Sequence, residues 1–182
     1  YLDGIKNSVL TAFYTPPAVV DALTSAMLES GVKPVRFLDP SAGTGIFGQY
    51  ADLANPSAEI TCFEKDPLTA LILKHLNPTF TVRAQGFESI EGKYNGYYDV
   101  IASNIPYGDV ALFDPAFSTH IDPVRRQGTR TLHNYFFMKS VDTVRDGGII
   151  AFITSQGVLN SEQNRPVREW LAQRCNVVFA VR

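Results

Sequence analysis

Basic residues are in no excess in this chain: 16 lysines and arginines stand against 18 aspartates and glutamates, a formal charge of −2. A domain that grips nucleic acid unaided carries a basic surplus. The balance excludes that class and means that any nucleic-acid partner is held partly by something else. Cysteine is scarce as well. Cys62 and Cys175 lie far apart in apolar runs, without the spaced Cys/His partners of a zinc site. A disulfide scaffold and a structural metal are therefore not expected; two buried free thiols in a reducing cytoplasm are. His75, His120 and His133 lack a recognisable triad or metal partner and are expected as surface or helix residues. No G-x-S-x-G nucleophile or P-loop lysine motif occurs. No run approaches the ~18 consecutive apolar residues of a membrane span, and Tyr1 to Lys6 do not resemble a signal peptide. The expectation is a soluble, cytoplasmic chain with no membrane partner and no metal.

What is present is enough apolar material for one real core: 182 residues, 45% of them hydrophobic. The chain opens on Tyr1 without a Met and stops on Arg182 after an apolar run, so a piece of a longer polypeptide is expected. Short apolar runs alternate with longer amphipathic ones, the pattern of βαβ units around a parallel sheet. Strands are predicted at Val35 to Leu38, Ile60 to Phe63, Thr79 to Ala84, Asp99 to Ser103, Gly148 to Thr154 and Asn176 to Val181. Helices are predicted at Pro17 to Ser30, Ile46 to Leu53, Leu68 to Leu76, Asn134 to Arg145 and Asn164 to Arg174, the first with Thr15 as its N-cap. Residues 1–182 thus read as a single doubly wound, mostly parallel α/β domain with helices on both faces of a Rossmann-like sheet. Gly108 to Arg130, with Pro115, Pro123 and Gly128, fits no element and reads as a long functional or disordered loop.

Two segments carry chemistry. In Phe37-Leu-Asp-Pro-Ser-Ala-Gly-Thr-Gly-Ile-Phe-Gly48 an apolar strand ends in Asp39 and turns through Gly43 and Gly45 into a helix. Glycines there let a ligand approach the backbone and expose N–H groups at a helix start. Glu64 follows about twenty residues on, where an acid binds ribose hydroxyls. Gly43, Gly45 and Gly48 also satisfy G-x-G-x-x-G, so on glycines alone a nicotinamide dehydrogenase remains open. The second segment, Asp99-Val-Ile-Ala-Ser-Asn-Ile-Pro-Tyr-Gly108, runs a buried strand straight into Asn104-Ile105-Pro106-Tyr107.

Asp39-Pro-Ser-Ala-Gly-Thr-Gly45 resembles the cofactor motif of class I S-adenosylmethionine-dependent methyltransferases, in the form common among DNA adenine N6 enzymes. Asn104-Ile-Pro-Tyr107 resembles their catalytic [DNS]-P-P-[YFW] turn, with Ile105 in place of the first proline. The resemblance implies S-adenosylmethionine as cofactor, its methionine part at Asp39, Ser41, Gly43 and Gly45, and its ribose at Glu64. Phe87 is the expected stacking surface for its adenine. The family's Asp before that aromatic falls at Gly86, a departure. Tyr14-Thr15-Pro16 resembles the F-x-T-P segment that closes over the methionine end in one order class of the family.

The implied chemistry explains the residue types of the second motif. An exocyclic purine amine is a poor nucleophile, because its lone pair is delocalised into the ring. The Asn104 side-chain oxygen and the Ile105 carbonyl, set against its N–H bonds, would favour a pyramidal nitrogen facing the methyl group. Pro106 would stiffen the turn, and Tyr107 would stack on an adenine flipped out of DNA. Transfer would be a direct displacement, with neither metal nor covalent enzyme intermediate.

The order of these motifs points to a DNA adenine N6-methyltransferase inside a larger restriction-modification or methylase-helicase protein. The family's last strand and target-recognition region cannot be placed in this chain, so missing domains would share the hold on DNA. The alternatives are an rRNA or protein-glutamine N-methyltransferase, since those use related turns, or a non-catalytic S-adenosylmethionine-binding module.

Overall fold

The computed structural model describes residues 15–181; Tyr14 lies outside them. Five parallel strands form one sheet in the order β3-β2-β1-β4-β5. They are β1 (Arg36–Asp39), β2 (Glu59–Phe63), β3 (Thr81–Arg83), β4 (Tyr98–Asn104) and β5 (Val144–Ile153). The helices are α1 (Pro17–Glu29), α2 (Ile46–Ala54), α3 (Pro67–Leu76), α4 (Pro115–Ser118), α5 (Pro123–Gly128), α6 (Leu132–Thr143), α7 (Gly157–Asn160) and α8 (Arg165–Ala172). The strand order reverses between β1 and β4, and in such sheets ligands bind beyond the C-terminal ends of the strands at that reversal. Asp39 and Asn104 both end strands there.

The short apolar strands are covered on both faces, which is why they read as continuous rather than alternating runs. One face packs Phe37, Val100 and Ala102 with Phe47, Ala51, Ile60, Leu73 and Phe80. The other packs Leu38 and Ile101 with Phe87, Ile105, Tyr135, Met138 and Trp170. Neighbouring residues of β1 and β4 thus serve opposite layers, as the two-residue period of a strand requires. Far from the C-terminal edge, both oxygens of the Asp99 carboxylate stitch the entry to β1, accepting from Val35 N and Arg36 N at 2.8 Å each.

Several expectations are corrected. Val144 leaves α6 directly into β5, so the strand begins earlier than predicted and the helix ends before Arg145. β5 starts opposite Tyr98 (Tyr98↔Val144) and resumes at Val100↔Ile149, with residues 145–148 looped out. Gly147 takes φ 72° in that bulge. Thr15 is not the cap of α1: Pro16 occupies that position, with no side-chain cap. Asn176 to Val181 adopts no regular structure, and Val177, Val178, Phe179 and Val181 are exposed. β-branched composition measures fitness for a pleated, half-buried surface, and no described neighbour supplies that surface here. Residues 108–130 are ordered around α4 and α5, whose caps Asp114 and Asp122 accept from Ala116 N and Val124 N. His133 is a helix residue, as expected, and is buried within α6. Both cysteines are free; Cys62 is buried and Cys175 half-buried, and burial pushes each thiol up. Among the described residues no helix is long and apolar enough to cross a membrane.

Removing the Asp99 stitch leaves two backbone N–H groups to water. Asp99→Ala is expected to cost about 1–2 kcal/mol of unfolding free energy, read by urea denaturation.

Candidate active site

The end of β1 is built around a carboxylate taken out of water. Asp39 is fully buried; its Oδ1 accepts from Ser41 N at 3.1 Å, while Oδ2 is buried with no hydrogen-bond partner. Burial pushes its carboxyl up to about 7, against the pull of Ser103 and the Ser41 N–H; the neighbouring Glu64 charge adds to the rise. The Ser103 hydroxyl, next to Asn104 on β4, also donates to the Ser41 carbonyl at 3.3 Å and ties the two strand ends together.

From Asp39 the chain turns through glycine. Gly43 (φ 55°) and Gly45 (φ 92°) are left-handed, which a side chain would strain. At Gly45 a Cβ would also fall 2.5 Å from Leu73 Cδ1. At Gly43 it would project into open space, so that backbone presents a bare face. Glu64, just past β2, closes the turn from the other side. Its Oε2 accepts from Gly43 N and its Oε1 from Asp66 N, each at 2.9 Å. Burial raises Glu64, and those two N–H groups oppose the rise. The turn is buttressed by Asn77, whose Nδ2 donates to the carbonyls of Thr44 and Leu73. Two neighbouring acids, one with an unpartnered oxygen, beside a glycine backbone without side chains suit a ligand that brings positive charge and hydroxyl donors. A sulfonium amino acid joined to a ribose meets both requirements.

The second motif sits at the end of β4. Asn104 pairs with Ile153 of β5, and Ile105 N donates to the Ile153 carbonyl at 3.1 Å. The Ile105 side chain is buried in the core and roots the turn; Pro106 is half-buried and Tyr107 exposed. Asn104 and Tyr107 line a pocket of about 490 Å3 together with Thr15, Pro16, Val19, Ile153, Thr154 and Ser155. The Thr15-Pro16 segment and the Asn104-Tyr107 turn, about ninety residues apart in sequence, thus share one cavity.

Phe87 does not join them. It is 1% exposed, with its ring against Phe63, Tyr135 and Phe136. A ring so enclosed has no face to offer a ligand, and its place is in the core. Thr154 and Ser155 were not among the residues expected at the site. Their signal was available: polar residues just past a buried parallel strand lie where ligands of such sheets bind.

A family model described as Eco57I restriction-modification methylase matches residues 56–181. The chain belongs to that family. Over 98% of its length it is 23% identical to the "Defense against restriction protein B" of Escherichia phage P1, covering 8% of that protein. Over 79% of its length it is 27% identical to the type II methyltransferase M.XamI of Xanthomonas campestris pv. amaranthicola, covering 29% of it. The chain therefore spans less than a third of the length of these curated relatives. Among solved structures, a Listeria monocytogenes protein described as a class I S-adenosylmethionine-dependent methyltransferase superposes with a TM-score of 0.71 at 19% identity. That match covers 87% of this chain and 51% of the other. A Vibrio vulnificus YJ016 protein described as a type I restriction modification subunit gives 0.68 at 18%, over 88% and 38%. The fold is that of the S-adenosylmethionine-dependent methyltransferases.

Because the folded state holds Asp39 protonated up to about pH 7, against 3.8 ordinarily, the folded chain keeps a proton that the unfolded chain has released. This group's contribution to stability is complete below its ordinary value and lost as pH rises through about 7. Asp39→Asn is expected to remove that loss, so the variant gains on the wild type in urea denaturation as pH is raised from about 5 to about 8.

Proposed function

We propose that this methylase transfers the methyl group of S-adenosylmethionine to the N6 amino group of adenine in DNA by direct displacement. The observation that carries the reading is the shared pocket. An amide (Asn104), an exposed phenol ring (Tyr107) and the Thr15-Pro16 turn line one cavity at the C-terminal edge of the sheet. Ser103 connects that edge to the acid-and-glycine turn.

Each residue then has a task. Asp39 and the Ser41 to Gly45 backbone hold the cationic amino-acid end of the donor, and Glu64 accepts its ribose hydroxyls. Thr15 and Pro16 cover the donor where the pocket opens. The Asn104 side-chain oxygen and the Ile105 carbonyl accept the two N–H bonds of the adenine amine, freeing its lone pair for the methyl carbon. Tyr107, accessible on the pocket wall, stacks on the extruded base. Pro106 and the buried Ile105 side chain keep the turn in one conformation. S-adenosylmethionine supplies a methyl group on a positive sulfur, already a good leaving group, so the rate comes from positioning and charge placement. Membership of a restriction-modification methylase family supports DNA over rRNA or a protein glutamine as substrate. The formal charge of −2 and the much longer relatives support a larger polypeptide whose other parts share the hold on DNA.

Calorimetric titration with S-adenosylmethionine, with NAD in parallel, is expected to show binding of S-adenosylmethionine alone, weakened about tenfold or more in Glu64→Ala as charge-assisted hydrogen bonds are lost. Its affinity should rise as pH passes through about 7 and Asp39 ionises, a rise absent in Asp39→Asn. Asn104→Ala is expected to keep donor affinity and lose about a hundredfold or more in formation of N6-methyladenine, followed by mass spectrometry of digested DNA. Donor binding with no N6-methyladenine from the wild-type full-length protein would overturn the substrate assignment.

A further inference from the structure

Residues 108–132 leave the Asn104-Tyr107 turn and return to it. Leu132 N donates to the Gly108 carbonyl at 3.2 Å and Leu112 N to the Thr129 carbonyl at 2.9 Å, pinning both ends beside Tyr107. The middle is fastened by a buried ion pair. Asp114 Oδ2 accepts from Lys139 Nζ at 2.9 Å and from Tyr135 Oη at 2.7 Å, both on α6. A second pair joins Arg125 of α5 to Asp142 of α6. The Arg125 guanidinium lies 4.5 Å from the Phe117 ring centroid and 5.5 Å from that of Trp170. Charges so placed tolerate little displacement, because separating a buried pair strands each in a low dielectric. The excursion is a fixed platform.

One side chain on it runs against the logic of a core. Phe113 is 75% exposed, although both its neighbours are held: Leu112 packs on the core and is bonded to Thr129, and Asp114 is in the buried pair. A backbone anchored on both sides cannot turn the ring inward, so the ring is presented to solvent. Phe113 follows Tyr107 by six positions along the chain, which limits their separation to ~20 Å. At ~3.4 Å per stacked nucleotide, the neighbours of any base met by Tyr107 fall within that range.

We propose that Phe113 is a nucleic-acid contact of this methylase, a rigid aromatic that stacks on bases left without their partner when the target adenine leaves the helix, and that Asp114, Lys139 and Tyr135 are the positioning residues that hold it there. The proposal rests on the DNA-adenine reading above. Unstacked bases present a π-face of any sequence, and an aromatic ring on a fixed backbone covers one with little loss of freedom.

The test uses the full-length protein as wild type, Phe113→Ala, Phe113→Trp and Asp114→Asn. Calorimetry gives donor affinity, thermal melting gives stability, and methylation of unmethylated bacterial genomic DNA is followed as a function of DNA concentration. Phe113→Ala is expected to lose about 5- to 150-fold in kcat/KM for DNA, with donor affinity and melting temperature unchanged, and Phe113→Trp to restore it. Asp114→Asn is expected to show a similar loss, with faster deuterium exchange confined to residues 108–132. Wild-type kcat/KM in Phe113→Ala would overturn the proposal. So would a lowered melting temperature with normal turnover, which would assign Phe113 to a contact with another part of the polypeptide. If the wild type makes no N6-methyladenine, the parent reading falls and this one with it. If the wild type makes it and Phe113→Ala makes it equally well, this proposal alone falls.

Discussion

Asp39 stands at the end of β1 with one carboxylate oxygen hydrogen-bonded and the other buried without a partner. Burying a carboxylate in that way is unfavourable, and the fold answers by letting it hold a proton to about pH 7. Much of the surrounding architecture follows from that one group. The Ser41 N–H and the Ser103 hydroxyl gather about it, the glycine turn follows it, and Glu64, whose charge opposes its ionisation, is held nearby by the Gly43 N–H. A cation arriving at this point would relieve a strain already present in the folded chain. Binding and stability are therefore opposed at this position, as is common where a site is preorganised for charge.

The two ends of the site are rigid for different reasons. The acid-and-glycine turn is fixed by backbone geometry, with left-handed glycines whose neighbours leave no room for substitution at Gly45. The Asn104-Tyr107 turn is fixed by packing: Ile105 is rooted in the core and its N–H is bonded to β5. That division explains how isoleucine can stand where the resembling turn has proline. Burial supplies the stiffness that the ring would otherwise provide.

The sheet was legible in the sequence because β1, β2 and β4 are short, doubly covered strands whose apolar runs have few other readings, and the glycine and Asn-Ile-Pro-Tyr turns follow them directly. Asn176 to Val181 has the same composition and forms no strand, since composition is local and pairing is not. Phe87 shows the converse. Its place after β3 suggested a ligand-facing ring, yet a position in sequence does not say which side of the chain is covered, and Tyr135 and Phe136 of a distant helix cover this one. The ordering of residues 108–132 was also out of reach, because it depends on Asp114 meeting Lys139 and Tyr135 across roughly twenty-five positions. Thr15 and Thr154 reach one pocket through folding alone.

The bulge at the start of β5 has a consequence for how such a domain can change over time. Residues 145–148 are absorbed between Tyr98↔Val144 and Val100↔Ile149, after which the register runs unbroken to Asn104↔Ile153. Added or lost residues at that end would be taken up by the loop before they could shift Ile153 against Asn104. The sheet therefore has a slack end and a taut end, and the candidate site sits at the taut one. Variation in length can accumulate on the far side of the molecule while the register of Asn104 against Ile153 remains where it was.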